Sequence, residues 1–394
     1  MGVSHVGEIT LGSITQFFPS ELIEKILGET ERQSKRKRQL PAPMMVYYII
    51  ALGLYMSEGC RSVLRRVAKS RRRWLDDLDE ICSESAISQA RTRLGSEPIQ
   101  RLYAELVRPL ATKDTPNAWY RQWRVVSLDG TTLDVADSEE NDCEFGRPGV
   151  SHGHSAYPQI RLLTLLENVT HVMFSAAMSG IKTGEQRLVE QVVSSLPPDS
   201  LCLADRGVFS YENWLAASHS GASLLWRAKN NMILPRLEVY PDRSFRSKLY
   251  RSPRDRKRDE NGIEVRVIEF HVGPIATQEL YRLITTITDT DQAPAIELAK
   301  LYGTRWTIET AFGELKTHLS GSRVVLRSKK PEHVRQEVYG LLLAHFGIRA
   351  IMVEAAEQEQ IEPAELSFVH TIRLVHQHLP SFVSFPPSIR LAAP

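Results

Sequence analysis

The sequence is short of cysteine, of charge of one sign and of long apolar runs, and each shortage excludes something. It has only 4 cysteines in 394 residues, Cys60, Cys82, Cys143 and Cys202, with no Cys-x-x-Cys pair among them. That spacing argues against a thiolate zinc site and against a disulfide framework, so the four read as core cysteines in a reducing cytosol. The N-terminus, Met1 to Thr10, has no basic start followed by an apolar stretch, and no signal peptide is expected. The longest apolar run, Met44 to Met56, is too short to cross a bilayer and fits a buried helix. A cytoplasmic chain with no membrane partner is the expectation. The formal net charge is +2, too small to announce a polyanionic partner by itself.

What is present is ordinary globular composition, 42% hydrophobic and 24% charged, in a chain long enough for two or three domains. The basic residues come in runs. Lys35 to Arg38 is one; Arg61, Arg65, Arg66, Lys69 and Arg71 to Arg73 form a second; Arg251, Arg254, Arg256, Lys257 and Arg258 form a third. Local runs attract polyanions even when the whole chain is nearly neutral.

Residues 1 to about 115 read as helical. Ser20 is a plausible N-cap, Pro41 and Pro43 introduce the apolar helix around Val46 to Tyr55, and Ser83 to Leu94 ends at Gly95. Arg61 to Lys69 carries Val63, Leu64 and Val67 at helical spacing with arginines on the other side. A compact helical unit with basic faces suits DNA binding. Near residue 123 the pattern turns to strands. Trp123 to Leu128 is apolar and ends at Asp129-Gly130, and Thr131 to Ala136 alternates like the second strand of a hairpin. Gln159 to Leu166 is a third strand, Gly184 to Leu196 a helix, and Ser200 to Ala204 a short buried strand ending at Asp205. Three strands, a helix and a strand indicate an α/β sheet with an antiparallel hairpin. Ser223 to Trp226, Glu264 to Val272 and Leu280 to Thr288 suggest a β-rich insertion over about 223–288. Helices follow over Ala295 to Leu319, Glu332 to Glu357 and Ser367 to Gln377.

The most informative segment is Leu301 to Leu319. On a regular α-helix with Tyr302 at 0°, Arg305, Glu309 and Lys316 fall at about 300°, 340° and 320°. Leu301, Ile308, Phe312, Leu315 and Leu319 form an apolar stripe beside that polar arc, and Glu314 falls on the far side. Taken alone, this is a solvated face with an Arg305–Glu309 pair one turn apart. Asp129 and Asp205 change its meaning, because each ends an apolar strand and adjacent strand ends can set two carboxylates side by side. Close carboxylates resist ionising together. Divalent cations relieve that repulsion, and two such ions suit phosphoryl transfer.

The spacing Tyr302-x2-Arg305-x3-Glu309-x6-Lys316 resembles the YREK signature of the insertion-sequence-4 family of bacterial DDE transposases. Residues 127–134, SLDGTTLD, resemble that family's segment around its first aspartate, and residues 203–210, LADRGVFS, the segment around its second. The long interval between Asp205 and Glu309 fits the family's β-strand insertion, and the helical segment from Ile14 to Met56 resembles the domain that precedes the catalytic core.

The resemblance implies a ribonuclease H-like mixed sheet with a β-rich insertion, preceded by an all-helical N-terminal domain. It implies domains at 1–115 (helical, DNA-binding), 116–350 (catalytic) and 351–394 (helical tail). Asp129, Asp205 and Glu309 would hold two Mg²⁺ or Mn²⁺ ions, and Tyr302, Arg305 and Lys316 would contact DNA near the cut. Arg206 either reaches a phosphate or pairs with a carboxylate. The partners implied are the terminal inverted repeats of a transposon and its target DNA, held by a homodimer at the nucleoid. Some members of the family flip a base onto an aromatic of the insertion, for which Trp226, Tyr250 and Tyr281 are candidates here. A non-catalytic DNA-binding derivative and a metal-dependent nuclease without strand transfer are the competing readings. His152 and His154 read as loop residues, and Asp134 and Asp137 as surface or turn residues.

Overall fold

The computed structural model describes residues 17–36, 39–69, 83–149, 157–183, 186–272, 279–319 and 325–378. His152, His154, Cys82, Lys37, Arg38 and Arg71 to Arg73 lie outside the described residues. In chain order the helices are α1 Ser20–Glu29, α2 Ala42–Leu54, α3 Cys60–Lys69, α4 Glu84–Leu94, α5 Glu97–Leu106, α6 Glu139–Phe145, α7 Gln186–Val193, α8 Tyr211–Ser218, α9 Pro253–Arg258, α10 Ala295–Tyr302, α11 Thr307–Gly313, α12 Pro331–Glu359 and α13 Phe368–His378. The strands are β1 Trp119–Tyr120, β2 Trp123–Val135, β3 Gln159–Glu167, β4 Val172–Gly180, β5 Ser200–Ala204, β6 Ser223–Arg227, β7 Glu238–Val239, β8 Phe245–Leu249, β9 Ile263–Val272, β10 Glu279–Thr285 and β11 Val325–Leu326. Contacts divide the chain into two units, residues 111–132 with 160–311, and residues 1–110 with 133–159 and 312–394.

The first of these units is built on the sheet β4-β3-β2-β5-β6-β10-β9-β8-β7. Strands β2, β5 and β6 run parallel at its centre, with Leu128 opposite Ala204 and Ala204 opposite Trp226. The remaining pairings toward β7 are antiparallel. This is the mixed, ribonuclease H-like sheet expected from the resemblance.

Two expectations about the sheet change. Asp129-Gly130 is not a hairpin turn; β2 runs straight through it to Val135. A tight hairpin turn needs positive φ, and among the described residues the glycines with positive φ are Gly95, Gly146 and Gly221. β2 pairs antiparallel with the short β1 and lies beside β3 in the sheet, with Asn168 N donating to Val125 O at 3.2 Å. The strands of 223–288 also do not stand apart from the central sheet, because β6 is its third parallel strand and β10 pairs directly with it.

Alternation along the strands sorts the core. Val125, Leu201, Leu203, Leu225 and Leu283 pack with Ala295, Leu298 and Tyr302 of α10 on one face. On the other, Trp226 meets Trp214 of α8 edge to face at 5.5 Å.

The second unit is helical. Ser83 caps α4 by accepting from Ala86 N, and Gly95 ends it at φ 71°. Ser20 is not a cap: it is the first residue of α1, whose N-cap is Pro19, and its hydroxyl binds Glu21 instead. Cys60 is half-buried and Cys143 exposed, so of the described cysteines only Cys202 is a core residue. The guanidinium of Arg91 is buried between helices, donating to Gln336 Oε1, Ser328 Oγ and the His333 carbonyl. Helix α12 is long and apolar enough to cross a membrane by length and composition, with 89% of its apolar window buried inside the protein.

Helices α2 and α12 approach each other through two glycines. A Cβ on Gly53 would lie 2.8 Å from the Gly340 carbonyl oxygen, and one on Gly340 would lie 2.6 Å from the Ile49 carbonyl oxygen. Backbone cannot yield as a flexible side chain can, so Gly340→Ala is expected to lower unfolding stability by about 1–3 kcal/mol. Gly313→Ala, where nothing stands within 4 Å, is the control and should not destabilise. Urea denaturation followed by circular dichroism measures both; equal stability of the two variants would contradict the close-approach account.

Candidate active site

The parallel register builds the site. Leu128, Ala204 and Trp226 lie side by side on β2, β5 and β6, so Asp129, Asp205 and Arg227 are the next residues on three neighbouring strands. Successive side chains alternate between faces, and two residues before Asp205 and Arg227 stand Leu203 and Leu225, both in the core beneath α10. Asp205 and Arg227 therefore emerge on the α10 side at the C-terminal edge of the sheet. Asp129, four residues past the core residue Val125, emerges on the same side.

That side is where the 302–309 segment reaches down. Tyr302 is 3% exposed, and its hydroxyl donates to Asp205 Oδ1 and to the Ala204 carbonyl, each at 3.3 Å. Arg305 is 4% exposed and donates from Nη1 to Asp129 Oδ2 at 2.9 Å. The other oxygen of Asp129 accepts from the Gly130 amide at 2.8 Å. Asn168 ties the segment to the sheet, accepting from Ser127 Oγ at 2.8 Å and donating to Thr304 O and Oγ1 at 3.2 Å.

The segment is not one regular helix, and the polar arc drawn from an unbroken 100° step is corrected accordingly. It is 3-10 over Gly303–Trp306, α over Thr307–Gly313 and π over Glu314–His318. A 3-10 turn advances faster than an α turn and a π turn more slowly, so the phase is reset twice between Tyr302 and Lys316. Tyr302 and Arg305 are buried against the sheet while Glu309 is exposed. Arg305 pairs with Asp129 across the fold. Of the apolar stripe, Ile308, Phe312, Leu315 and Leu319 are buried and Leu301 is half-buried. Glu314, placed on the far side, is buried in a separate cluster with Arg349 and His345. Lys316 belongs to the helical unit.

The electrostatics bind the three acidic positions together. Burial raises the pKa of Asp129 above the ordinary carboxylate value; the Gly130 amide and Arg305 pull it down, and the charges of Asp205 and Glu309 push it up. Asp205 and Glu309 are thus both within electrostatic reach of Asp129. Burial likewise pushes the Tyr302 phenol up, with the Asp205 charge adding to it. As the side chains stand, no three His, Cys, Asp or Glu among the described residues close around an ion. The donor chemistry nonetheless fits a hard divalent cation, since Asp129 and Asp205 offer carboxylate oxygens from neighbouring strand ends.

Other positions resolve differently. Arg206 is exposed and lies 3.5 Å from Glu279. Asp134 is neither a surface nor a turn residue, since it is buried within β2 and accepts from Gln159, whereas Asp137 is exposed and pairs with Arg147. Of the three aromatics considered for base stacking, Trp226 is excluded as it stands, being fully buried against Trp214. Tyr250 donates to Asp259, and Tyr281 packs on Arg227. Arg227 and Asn168 were not singled out by sequence. Arg227 obeys the rule that found the aspartates, a charged residue closing an apolar strand; no pattern marks Asn168.

The family described as "Insertion element 4 transposase N-terminal" matches residues 8–104, and "Transposase DDE domain" matches residues 121–346. The chain is 30% identical over 372 residues to the transposase InsG for insertion sequence element IS4 of Escherichia coli K12, covering 94% of this chain and 83% of that protein. It is 22% identical over 215 residues to the putative transposase InsZ of the same strain, covering 54% of this chain and 69% of the relative. Among solved structures, a cryo-EM structure of the piggyBac transposase synaptic complex with hairpin DNA superposes with a TM-score of 0.48 at 12% identity, covering 99% of this chain and 85% of that one. The chain belongs to the insertion-element-4 family of transposases, with that family's N-terminal region followed by a transposase DDE domain.

Proposed function

We propose that this transposase cuts DNA at the ends of its own element and joins those ends to target DNA, with Asp129, Asp205 and Glu309 as the catalytic carboxylates. The observation that carries the reading is the placement of Asp129 and Asp205 on neighbouring parallel strand ends, within electrostatic reach of Glu309. The three would hold two divalent ions, Mg²⁺ or Mn²⁺, whose charge would stabilise the attacking and leaving oxygens of phosphoryl transfer. The residues around them have separable tasks. Tyr302 orients Asp205 through Oδ1. Arg305 neutralises Asp129 in the free protein, and its guanidinium is the group a DNA phosphate would draw to itself, because planar donors match phosphate oxygens. Lys316 and the exposed basic residues of α3 would contact the backbone, which fixes register without reading sequence.

We propose further that residues 1–115 form the DNA-binding domain, 116–350 the catalytic domain and 351–394 a helical tail. Two copies would act on paired ends, at the nucleoid in the cytoplasm.

Asp129→Asn, Asp205→Asn and Glu309→Gln are each expected to reduce Mg²⁺-dependent cleavage of a duplex carrying the element's terminal repeat by about a thousandfold or more, ~4 kcal/mol of barrier, while gel-shift affinity survives. Retained cleavage by all three variants would sink the assignment. Sequencing the products of the unaltered protein tests the joining step: nicked or blunt ends with no joined DNA would leave a nuclease. Lys316→Ala is expected to weaken binding of all DNA sequences alike and to reduce the slope of log K against log salt by about 1. An unchanged slope would remove Lys316 from the backbone contacts. Arg305→Met takes away a cation and leaves the burial of Asp129 in place, so the Asp129 carboxyl should titrate at still higher pH, as followed by ¹³C NMR in the absence of metal. A downward shift would show that Arg305 does not neutralise Asp129.

A further inference from the structure

Arg227 closes β6 and is only 6% exposed. A buried guanidinium is costly unless its donors are met, and this one is met on specific sides. Its Nη2 is bonded to Glu279 at the start of β10. Its guanidinium carbon lies over the Tyr281 ring, 3.7 Å from the ring centre, and Phe270 packs against that ring at 5.7 Å between centres. Its Nη1 lies 3.8 Å from Asp205 Oδ1, within ion-pair range and beyond hydrogen-bond distance. Its Nε is buried and has no hydrogen-bond partner among the described residues. The same Asp205 oxygen takes the Tyr302 hydroxyl, so both neighbours address Oδ1.

We propose that Arg227 is a positioning residue for Asp205, holding the carboxylate by its Oδ1 edge so that Oδ2 is presented to a divalent cation. Asp205 lies at the end of a five-residue strand, where a carboxylate is free to turn about its own χ2. One hydrogen bond, from Tyr302, and one ion pair, with Arg227, on the same oxygen restrict that freedom. Arginine suits the task better than lysine would, because the ring and Glu279 fix the plane of the guanidinium and thereby the direction of Nη1. Arg227 acts through Asp205 and touches neither DNA nor cation.

The inference rests on the proposed metal-binding role of Asp205, and the experiment keeps the two apart. Mn²⁺ binding to the full-length protein without DNA is measured by isothermal titration calorimetry for the unaltered chain, Asp205→Asn, Arg227→Gln and Arg227→Lys. Thermal melting and gel-shift affinity for the terminal repeat are recorded for each. The expected result is that Arg227→Gln weakens Mn²⁺ binding by about tenfold or more, that Arg227→Lys recovers part of the loss, and that DNA affinity is unchanged. If Arg227→Gln does not fold, Glu279→Gln is read in its place, since it loosens the guanidinium without emptying the buried site; weaker Mn²⁺ binding is again the expected outcome. Unaltered Mn²⁺ affinity in Arg227→Gln alongside loss in Asp205→Asn would overturn the positioning role and leave the metal reading standing. Parallel losses of Mn²⁺ and DNA affinity would also overturn it, making Arg227 a DNA contact. Full Mn²⁺ binding by Asp205→Asn would overturn the metal reading itself.

Discussion

Everything in the candidate site follows from one constraint: two carboxylates are set side by side where parallel strands end, and their repulsion has to be met. Strand pairing leaves little choice about the distance, because Leu128 and Ala204 are register partners and the next residue on each strand is acidic. The fold meets the charge from within. Arg305 donates to Asp129, Tyr302 donates to Asp205, and Arg227 stands within ion-pair range of Asp205. Each of these groups is buried, so each interaction is screened less than it would be on the surface. The residual imbalance is visible in the raised pKa of Asp129, where burial outweighs the help from Gly130 and Arg305. A site left in that condition favours added positive charge, which is what a divalent cation brings.

The changing pitch of the 295–319 segment serves the same end. An unbroken α-helix would carry Tyr302 and Arg305 on the arc that also bears Glu309. In the fold the 3-10 turn brings Tyr302 and Arg305 down onto the sheet and leaves Glu309 exposed beyond them. The Ser127–Asn168–Thr304 chain of hydrogen bonds holds that turn against β2. Further on, the π turn begins at Glu314, whose buried carboxylate is bound by Arg349 and His345 of α12. Departures from α geometry of this kind are frequent at functional sites, and here they separate residues that anchor from one that stays accessible.

How much of this was legible in the sequence depends on the range of the interaction involved. Helix boundaries written in local chemistry were legible: the Ser83 cap, the Gly95 stop and the apolar run that became α2. The strand ends at Asp129 and Asp205 were legible because an apolar run closing on a charge is a local pattern. The continuity of β2 through Asp129-Gly130 was not, since an Asp-Gly pair carries the composition of a hairpin turn and only pairing with β3 and β11 decides otherwise. Strand β4 went unread, and Trp226 looked available because its burial depends on Trp214 from a separate helix. The phase of Arg305 was missed for a related reason: its partner lies far away in sequence, and that contact accompanies a change in helix type. Family resemblance supplied what periodicity could not, the grouping of Tyr302, Arg305, Glu309 and Lys316 with two distant aspartates.

The most direct measurement of the central claim is Mn²⁺ anomalous scattering from crystals of the protein bound to a cleaved end of its element. The account predicts two peaks beside the sheet edge. Asp129, Asp205 and Glu309 would hold the ions, and Arg305 would be withdrawn from Asp129 toward a phosphate. Manganese bound elsewhere, or an Arg305–Asp129 pair still intact beside a correctly seated DNA end, would contradict it.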